Sequence, residues 1–395
     1  MPTVVVSPYN VVNFPDGGGH FWVYMQYVQG LRRAGCEVFW MERLRCDRSP
    51  HDDPAVRTFL KRLAAYGMSD KAILYSTGDG DEREYIGLSR SVAEGILRRA
   101  DLLLNFHYAI SPALLARFRR TAMVDIDPGL LQTWMSSGQL TVPAHDVYLT
   151  IGETVGTPAS TLPDCGFAWH HLRPPICLDL WPYVHEPRSE AFTTVAGWWS
   201  GKWVRTRQDG TETLYENTKR VSFLQFVELP RKTPQALELA LYLADSDAED
   251  RRLLETNGWR VRHSREVART PGMYRSYIQR SRGEFSCAKP SCMKLRNGWI
   301  SDRTLCYLAS GKPAVVQNTG PWSWLPHGEG LLRFSTMAEA VEALAAVNAA
   351  YARHCRAARA IAEAYFDARD VAETILGVAL GSGAHVPRTD RRTAS

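Results

Sequence analysis

A histidine behind three glycines is the first group in the chain that could do chemistry. The stretch PDGGGH places His20 directly after Gly17–Gly19, between a short apolar run and a long amphipathic one. Such glycines could let backbone N–H groups approach a phosphate, could give an imidazole room to act on a substrate, or could simply form a turn. A GxGxxG dinucleotide motif would need glycine at position 22, where Trp22 stands, so the glycines alone do not identify a ligand.

The bulk composition limits the class of protein. A chain of 395 residues is too long for one ordinary core, so we expect two domains. The formal net charge of +5 is small for this length and does not suggest a coat for nucleic acid. The eight cysteines include no CxxC pair, which is typical of a reduced protein. With no signal-like N-terminus and no run near the ~20 apolar residues of a membrane span, we expect a cytoplasmic protein.

Alternating strand and helix patterns predict an α/β fold with two Rossmann-like domains. Short apolar runs rich in β-branched residues, from TVVVSPY to DVYLTIGE, alternate with amphipathic segments, and the pattern restarts at FTTVAGWW. We predict a first domain at 1–185, a second at 186–362, a terminal helix at 363–380 and a disordered tail at 381–395. Ligands of such sheets bind outside the carboxyl ends of the strands, where two domains can face each other across a cleft.

The segment DRTLCYLASGKPAVVQNTG (302–320) resembles the nucleotide-sugar-binding region of GT-B glycosyltransferases. In that family a helix of the type EAMASGKPVV lies beside the sugar donor, and the preceding SYIQRSRGEFSCAKPS resembles the helix and strand just upstream. The resemblance implies a GT-B-like fold, with two Rossmann-like domains facing across a cleft and a C-terminal helix that crosses back to the first. It also implies that the first domain binds the acceptor and the second binds the nucleotide-sugar.

The resemblance departs from the family at the glutamate pair that marks its retaining members. Glu284 could be the first glutamate, but the second position falls on Cys292, or on Cys306 when the ASG motif is aligned. This favours inverting chemistry, in which a general base takes a proton from the acceptor hydroxyl. Many inverting members carry that base in the first strand–helix loop, where this chain has His20. A helix N-terminus disfavours imidazolium, which would keep the base neutral. A helix-start histidine that only packs is the open alternative.

The sequence offers more than one position for the carboxylate that would orient such a base. Asp125 and Asp127 end a predicted strand in DIDP, and we expect Asp127 to be the catalytic partner. Where the family places its aspartate, this chain has Asn105 and His107, which makes His107 a rival base or an acceptor contact. No metal site is predicted from DIDP, because GT-B chemistry commonly needs no metal.

Donor contacts are expected at the strand ends of the second domain. Asp302 suits a ribose hydroxyl and Arg303 a diphosphate oxygen, although Asp302 could instead cap its helix and Arg303 could be solvated. Lys219 and Lys289 could neutralise the leaving diphosphate, or could be surface lysines. The other predicted donor contacts are Gly18, Gly19, Asn318, Thr319 and Gly320.

Acceptor contacts are expected from aromatic side chains near the cleft. Trp134 and Trp199 are the preferred walls, since flat apolar faces suit a sugar ring or an aromatic acceptor, and Asp16 is the polar contact. Core packing is the default alternative for the tryptophans.

The sequence thus predicts a glycosyltransferase that moves a sugar from a nucleoside diphosphate, UDP or dTDP, to a small acceptor such as a bacterial specialised metabolite. No cofactor is expected. A nucleotide-sugar epimerase of the same fold is the alternative. A nucleic-acid-binding or DNA-modifying protein is less expected, because no arginine-rich helix concentrates the positive charge.

Overall fold

The computed structural model describes residues 1–45, 53–77, 83–158, 160–199, 203–208 and 211–381. The predicted disordered tail lies outside these residues from position 382 onward. Each half of the described chain is built around its own sheet.

The first sheet has eight strands in the order β4-β3-β2-β1-β5-β6-β7-β8. The strands are β1 (Thr3–Ser7), β2 (Glu37–Arg43), β3 (Ala72–Thr77), β4 (Arg83–Gly87), β5 (Leu102–Asn105), β6 (Thr121–Asp125), β7 (Val147–Thr150) and β8 (Trp169–His171). Neighbours pair in parallel except β3 and β4, which form an antiparallel edge. The central strands are buried along their whole length, because helices cover both faces of a parallel sheet.

The second sheet has six parallel strands in the order β13-β12-β9-β14-β15-β16. They are β9 (Phe192–Gly197), β12 (Leu237–Tyr242), β13 (Arg260–His263), β14 (Gly283–Ser286), β15 (Ala314–Gln317) and β16 (Leu331–Phe334). A separate antiparallel hairpin, β10 (Trp203–Gln208) and β11 (Thr211–Glu216), follows β9. The second half is therefore also Rossmann-like.

Fifteen α-helices connect and flank the strands in the part of the chain that the structure describes. They are α1 (Gly18–Arg33), α2 (Pro54–Ala65), α3 (Arg90–Arg99), α4 (Pro112–Leu115), α5 (Leu130–Ser136), α6 (Lys219–Leu224), α7 (Leu229–Lys232), α8 (Ala248–Thr256), α9 (Ser264–Ala268), α10 (Pro271–Arg280), α11 (Pro290–Leu295), α12 (Asp302–Ala309), α13 (Met337–Ala349), α14 (Tyr351–Tyr365) and α15 (Ala368–Leu380). None of these helices combines the length and the apolar character needed to cross a bilayer.

The last helix packs against the first one. A Cβ on Gly30 of α1 would lie 2.3 Å from the carbonyl oxygen of Ala368, so only glycine allows α15 to approach this closely. Just before α15, Asp367 forms a β-bridge with Ile176, which follows the first sheet. The prediction of two Rossmann-like domains with a C-terminal helix that crosses back to the first is therefore confirmed. The exact domain boundaries stay a prediction.

Candidate functional site

A cleft of about 760 Å³ lies where the carboxyl ends of the two sheets face each other. The first domain contributes the loop after β1, the start of α1 and the end of β6, and the second contributes the ends of β9, β12 and β14 with the start of α12. Most of the predicted site residues line it, namely Asp16, Gly18, Gly19, His20, Asp127, Trp199, Lys219, Lys289, Asp302 and Arg303. This is the edge at which open α/β sheets bind their ligands.

The glycines pack the N-terminus of α1 against the second domain. A Cβ on Gly18 would lie 2.4 Å from the carbonyl oxygens of Ala268 and Thr270, and one on Gly19 would lie 2.8 Å from the Tyr274 ring. The N-cap residue of α1 is a glycine and supplies no side-chain hydrogen bond. The first N–H groups of a helix have no partner within it, so a helix that starts at a cleft presents positively polarised donors there.

The imidazole of His20 is fixed by a backbone carbonyl. Its Nε2 lies 2.8 Å from the carbonyl oxygen of Tyr9. A carbonyl can only accept, so Nε2 carries the hydrogen and Nδ1 keeps the lone pair. Burial lowers the pKa of His20, partly offset by the Tyr9 carbonyl and the charge of Asp127. The ring is therefore a neutral base at physiological pH.

The carboxylates of the first domain face cations of the second rather than His20. An Asp127 oxygen lies 3.7 Å from Lys289 Nζ, and Asp16 lies 3.1 Å from Arg265 Nε. Among the described residues no carboxylate is hydrogen-bonded to His20. No hydrogen bond between Asp127 and His20 thus supports the predicted orienting role of Asp127. The Tyr9 carbonyl is the group that orients the His20 ring.

The other aspartate of DIDP belongs to a buried network. Asp125 accepts hydrogen bonds from Gln132 Nε2 at 2.9 Å, Thr150 Oγ1 at 3.0 Å and the Asp127 N–H at 3.1 Å. Burial raises its pKa to about 6. These contacts shape the turn that puts Asp127 in the cleft. Within the described ranges no group of three or more His, Cys, Asp or Glu side chains could hold a metal ion.

Lys219 is a buried cation at the floor of the cleft. Its side chain is 6% exposed, and its Nζ donates to the carbonyl oxygen of Cys287. Burial, with the nearby charge of Arg303, lowers the pKa of Lys219 to about 7. An amine with this pKa is only partly protonated near neutral pH, and a nearby anion favours its charged form, so it is suited to hold a phosphate.

Arg303 is held by three protein acceptors. Nε donates to Glu284 Oε1 at 2.8 Å, Nη1 donates to the carbonyl oxygen of Val195 at 2.8 Å, and Nη2 donates to Ser286 Oγ. A guanidinium has five N–H groups, so two remain for a ligand. The fully buried Glu284 therefore fixes the orientation of the Arg303 guanidinium. The alternative that the sequence left open, a solvated Arg303 side chain, does not apply.

Ser301, not Asp302, caps the helix that carries Arg303. The Ser301 hydroxyl accepts the Arg303 N–H at 3.3 Å. Asp302 is the first residue of α12 and lines the cleft, where burial raises the pKa of its carboxyl. Asp302 therefore lies in the cleft wall beside Arg303, and its contact with a ribose hydroxyl stays a prediction.

Five predicted residues lie outside the cleft. Trp134 is half-buried on α5 and is not among the residues that line the cleft. Asn318 and Gly320 border a second cavity of about 600 Å³ beside β16, and the Thr319 hydroxyl donates to the carbonyl oxygen of Trp299 at 2.7 Å. The predicted ligand contacts of these four residues are therefore not supported by their position in the fold.

His107 is the fifth predicted residue that does not line the cleft, although it contacts Tyr9, which does. Its ring packs on the Tyr9 ring with a centroid distance of 5.2 Å, and its backbone N–H donates to Asn105 Oδ1 at 3.0 Å. Burial and the charges of Arg43 and Arg45 lower its pKa to about 4. His107 therefore does not line the cleft, and its alternative role as a base stays a prediction.

Sequence reasoning missed Tyr9, which connects the two histidines. Its carbonyl fixes His20, and its ring lines the cleft in front of His107. The signal was present, because Tyr9 lies two residues after the buried strand β1, at the carboxyl edge where ligands bind.

Several solved structures have a fold similar to that of this chain. The chain is similar to Anabaena HepE in complex with UDP and glucose, with a TM-score of 0.57, 10% identity and coverage of 97% of this chain and 100% of that one. It is similar to sucrose-phosphate synthase from Thermosynechococcus elongatus, with a TM-score of 0.55, 12% identity and coverage of 95% and 97%. An alpha-glucosyltransferase in complex with UDP and a 13-mer DNA gives a TM-score of 0.58, 10% identity and coverage of 96% and 99%.

Comparison at the level of sequence does not identify a family for the chain. No protein-family model matches the chain, and no curated protein matches it either. Identities as low as those above show the fold alone, and the coverage extends over nearly the whole of both chains. The chain therefore has the GT-B fold of nucleotide-sugar glycosyltransferases.

Proposed function

We propose that the protein transfers a sugar from a nucleoside-diphosphate sugar, with UDP as the first candidate, to a small acceptor held by the first domain. One observation carries the proposal: Lys219, Lys289 and the N-terminus of α1 converge on a single cleft between the carboxyl ends of two Rossmann-like sheets. Those are the groups that a diphosphate needs. The presence of UDP in two of the similar structures supports the choice of nucleotide.

The leaving diphosphate would be stabilised by groups that are already in place. Negative charge grows on the departing oxygen as the glycosidic bond breaks, and preorganised cations lower the energy of that state. Lys219 would supply a desolvated ammonium. Lys289, now 3.7 Å from Asp127, would exchange that carboxylate for a phosphate. Arg303 would offer its two remaining N–H groups, with its direction set by Glu284.

The acceptor hydroxyl would be deprotonated by His20 as the bond to the sugar forms. Because Nε2–H is bound to Tyr9, the proton must go to Nδ1. The resulting imidazolium would keep its hydrogen bond to the Tyr9 carbonyl, which stabilises the positive charge much as a carboxylate would, but less strongly. This geometry supports an inverting reaction with one general base.

A donor-only incubation tests the reaction class. The full chain would be incubated with UDP-glucose, UDP-galactose, UDP-N-acetylglucosamine, dTDP-glucose and GDP-mannose, and the products would be followed by mass spectrometry with and without a mixture of hydroxylated small molecules. We expect release of one nucleoside diphosphate, faster with acceptors, and loss of that release in Lys219→Met. A sugar nucleotide that is epimerised without release of nucleoside diphosphate would overturn transfer in favour of an epimerase.

A further inference from the structure

The cleft collects exposed aromatic side chains from both domains. Tyr9 and Phe14 of the first domain and Trp199 and Tyr242 of the second are each 41–50% exposed and all line it. Exposed aromatic groups that cluster in a concave site mark a binding surface rather than chance exposure.

The second-domain pair is already engaged by its own domain. Trp199 Nε1 donates to Asp247 at 2.9 Å, and the Arg265 guanidinium lies 5.4 Å from the Tyr242 ring centroid. Tyr9 and Phe14 stand on the opposite wall, beside His20, so they belong to the side where an acceptor hydroxyl must lie.

Resting on the proposed function, we infer that the acceptor is a flat aromatic molecule with an anionic group, which stacks on Tyr9 and directs its charge toward Arg45. The Tyr9 ring is built as a platform: Arg45 Nη2 donates to its hydroxyl at 3.1 Å, and the Arg45 guanidinium lies 5.6 Å from its centroid. The carbonyl of the same residue fixes His20. One residue thus joins the stacking surface to the base, so that a stacked phenol places its hydroxyl near Nδ1.

A positive charge lies beside this platform. Arg45, two residues after the end of β2, is exposed, and its charge contributes to the lowered pKa of His107, whose ring packs on Tyr9. Among the described residues no carboxylate lies within ion-pair distance of Arg45. An anionic group at the far end of the acceptor would complete this surface, since a guanidinium pairs well with a carboxylate.

Three small probes separate the two parts of the inference. They are 4-hydroxybenzoate, the neutral 4-hydroxybenzamide, and the saturated trans-4-hydroxycyclohexanecarboxylate. Each would be titrated calorimetrically into the full chain, with and without saturating UDP. We expect 4-hydroxybenzoate to bind at least about fivefold more tightly than either of the others, because it alone combines a ring that can stack on Tyr9 with a carboxylate that can pair with Arg45.

Two variants test the residues. Tyr9→Leu keeps the backbone carbonyl and should remove the preference for the aromatic ring, whereas Arg45→Gln should remove the preference for the anion over the amide. Trp203→Leu is the matched control, because Trp203 is 63% exposed and does not line the cleft. The Trp203→Leu variant should show the same preferences among the three probes as the unaltered chain.

The outcomes distinguish this inference from the proposed function. If UDP binds and the three probes bind equally, or if Tyr9→Leu keeps the full aromatic preference, the acceptor class is wrong and the donor site stands. If UDP does not bind, the proposed function fails, and the probe preferences measured without UDP still decide the nature of the surface on Tyr9.

Discussion

Lys219 gives the donor site a pH dependence that can be worked out from its surroundings. Burial and the charge of Arg303 lower the pKa of Lys219 from 10.5 to about 7. Above that pH the free protein must take up a proton on Lys219 before the ammonium can hold a diphosphate. From pH 7 to pH 8.5 the charged fraction falls about 16-fold. The Kd for UDP should rise by the same factor, about 1.6 kcal/mol.

Calorimetric titration with UDP across this range is the direct assay. Buffers with different ionisation heats should show the uptake of nearly one proton per UDP at pH 8.5. In Lys219→Met, UDP should bind more weakly at pH 7, and the rise of Kd with pH should disappear. A Kd that is constant in the unaltered chain, or that rises equally in both proteins, would refute the role assigned to Lys219.

As the pH rises, the stability of the folded protein should increase while its affinity for UDP falls. Because the folded-state pKa lies below the unfolded value, the unfolded chain holds more protons between pH 7 and pH 10.5, so the stability of the unaltered protein rises with pH over that window. Burying the cation costs about 4 kcal/mol at pH 7, and the Cys287 carbonyl would lose a donor worth about 1–3 kcal/mol. Lys219→Met should therefore raise Tm at pH 7 while it weakens UDP binding. A lower Tm would contradict the pKa argument.

Three further changes test the rest of the cleft. His20→Ala should reduce sugar transfer at least ~100-fold and leave the Kd for UDP unchanged, and near-normal turnover would place the base elsewhere. Asp127→Asn should tighten UDP binding about 2–5-fold at low salt in calorimetry, because Lys289 loses its competing carboxylate, and weaker binding would contradict this. Gly18→Ala should lower Tm by several degrees, because its Cβ would lie 2.4 Å from two carbonyl oxygens of the second domain. Gly272→Ala, with open space around its Cβ, is the control and should leave Tm unchanged.

Strong periodicity made the fold predictable. Runs such as TVVVS and AVVQ are buried throughout and could only be interior strands of a parallel sheet. The antiparallel edge strand Arg83–Gly87 and the hairpin Trp203–Gln208 with Thr211–Glu216 were not predicted, because their sequences are rich in polar residues and contain no continuous apolar run. The apolar pattern of the segment QALELALYLA fits a strand as well as a helix, and parallel pairing with β9 and β13 makes it strand Leu237–Tyr242.

The site was predictable where it depends on strand ends and less so where it depends on packing between domains. His20, Lys219 and Arg303 follow from their positions at the carboxyl edges. The close packing of Gly18 on Ala268 could not be read from the sequence, since it joins residues about 250 positions apart and depends on how the domains meet. The same holds for Trp134, which lies close to a strand end in the sequence but does not line the cleft.

Binding of nucleoside diphosphates to the cleft tests the central claim most directly. The melting temperature of the full chain would be measured with UDP, dTDP, GDP, ADP and the corresponding monophosphates, in parallel with Lys219→Met and Lys289→Met. The account predicts that one diphosphate, UDP first, raises Tm clearly more than its monophosphate, and that both variants lose most of that increase. If no diphosphate shifts Tm, or if the variants keep the full shift, the cleft is not a nucleotide-sugar site.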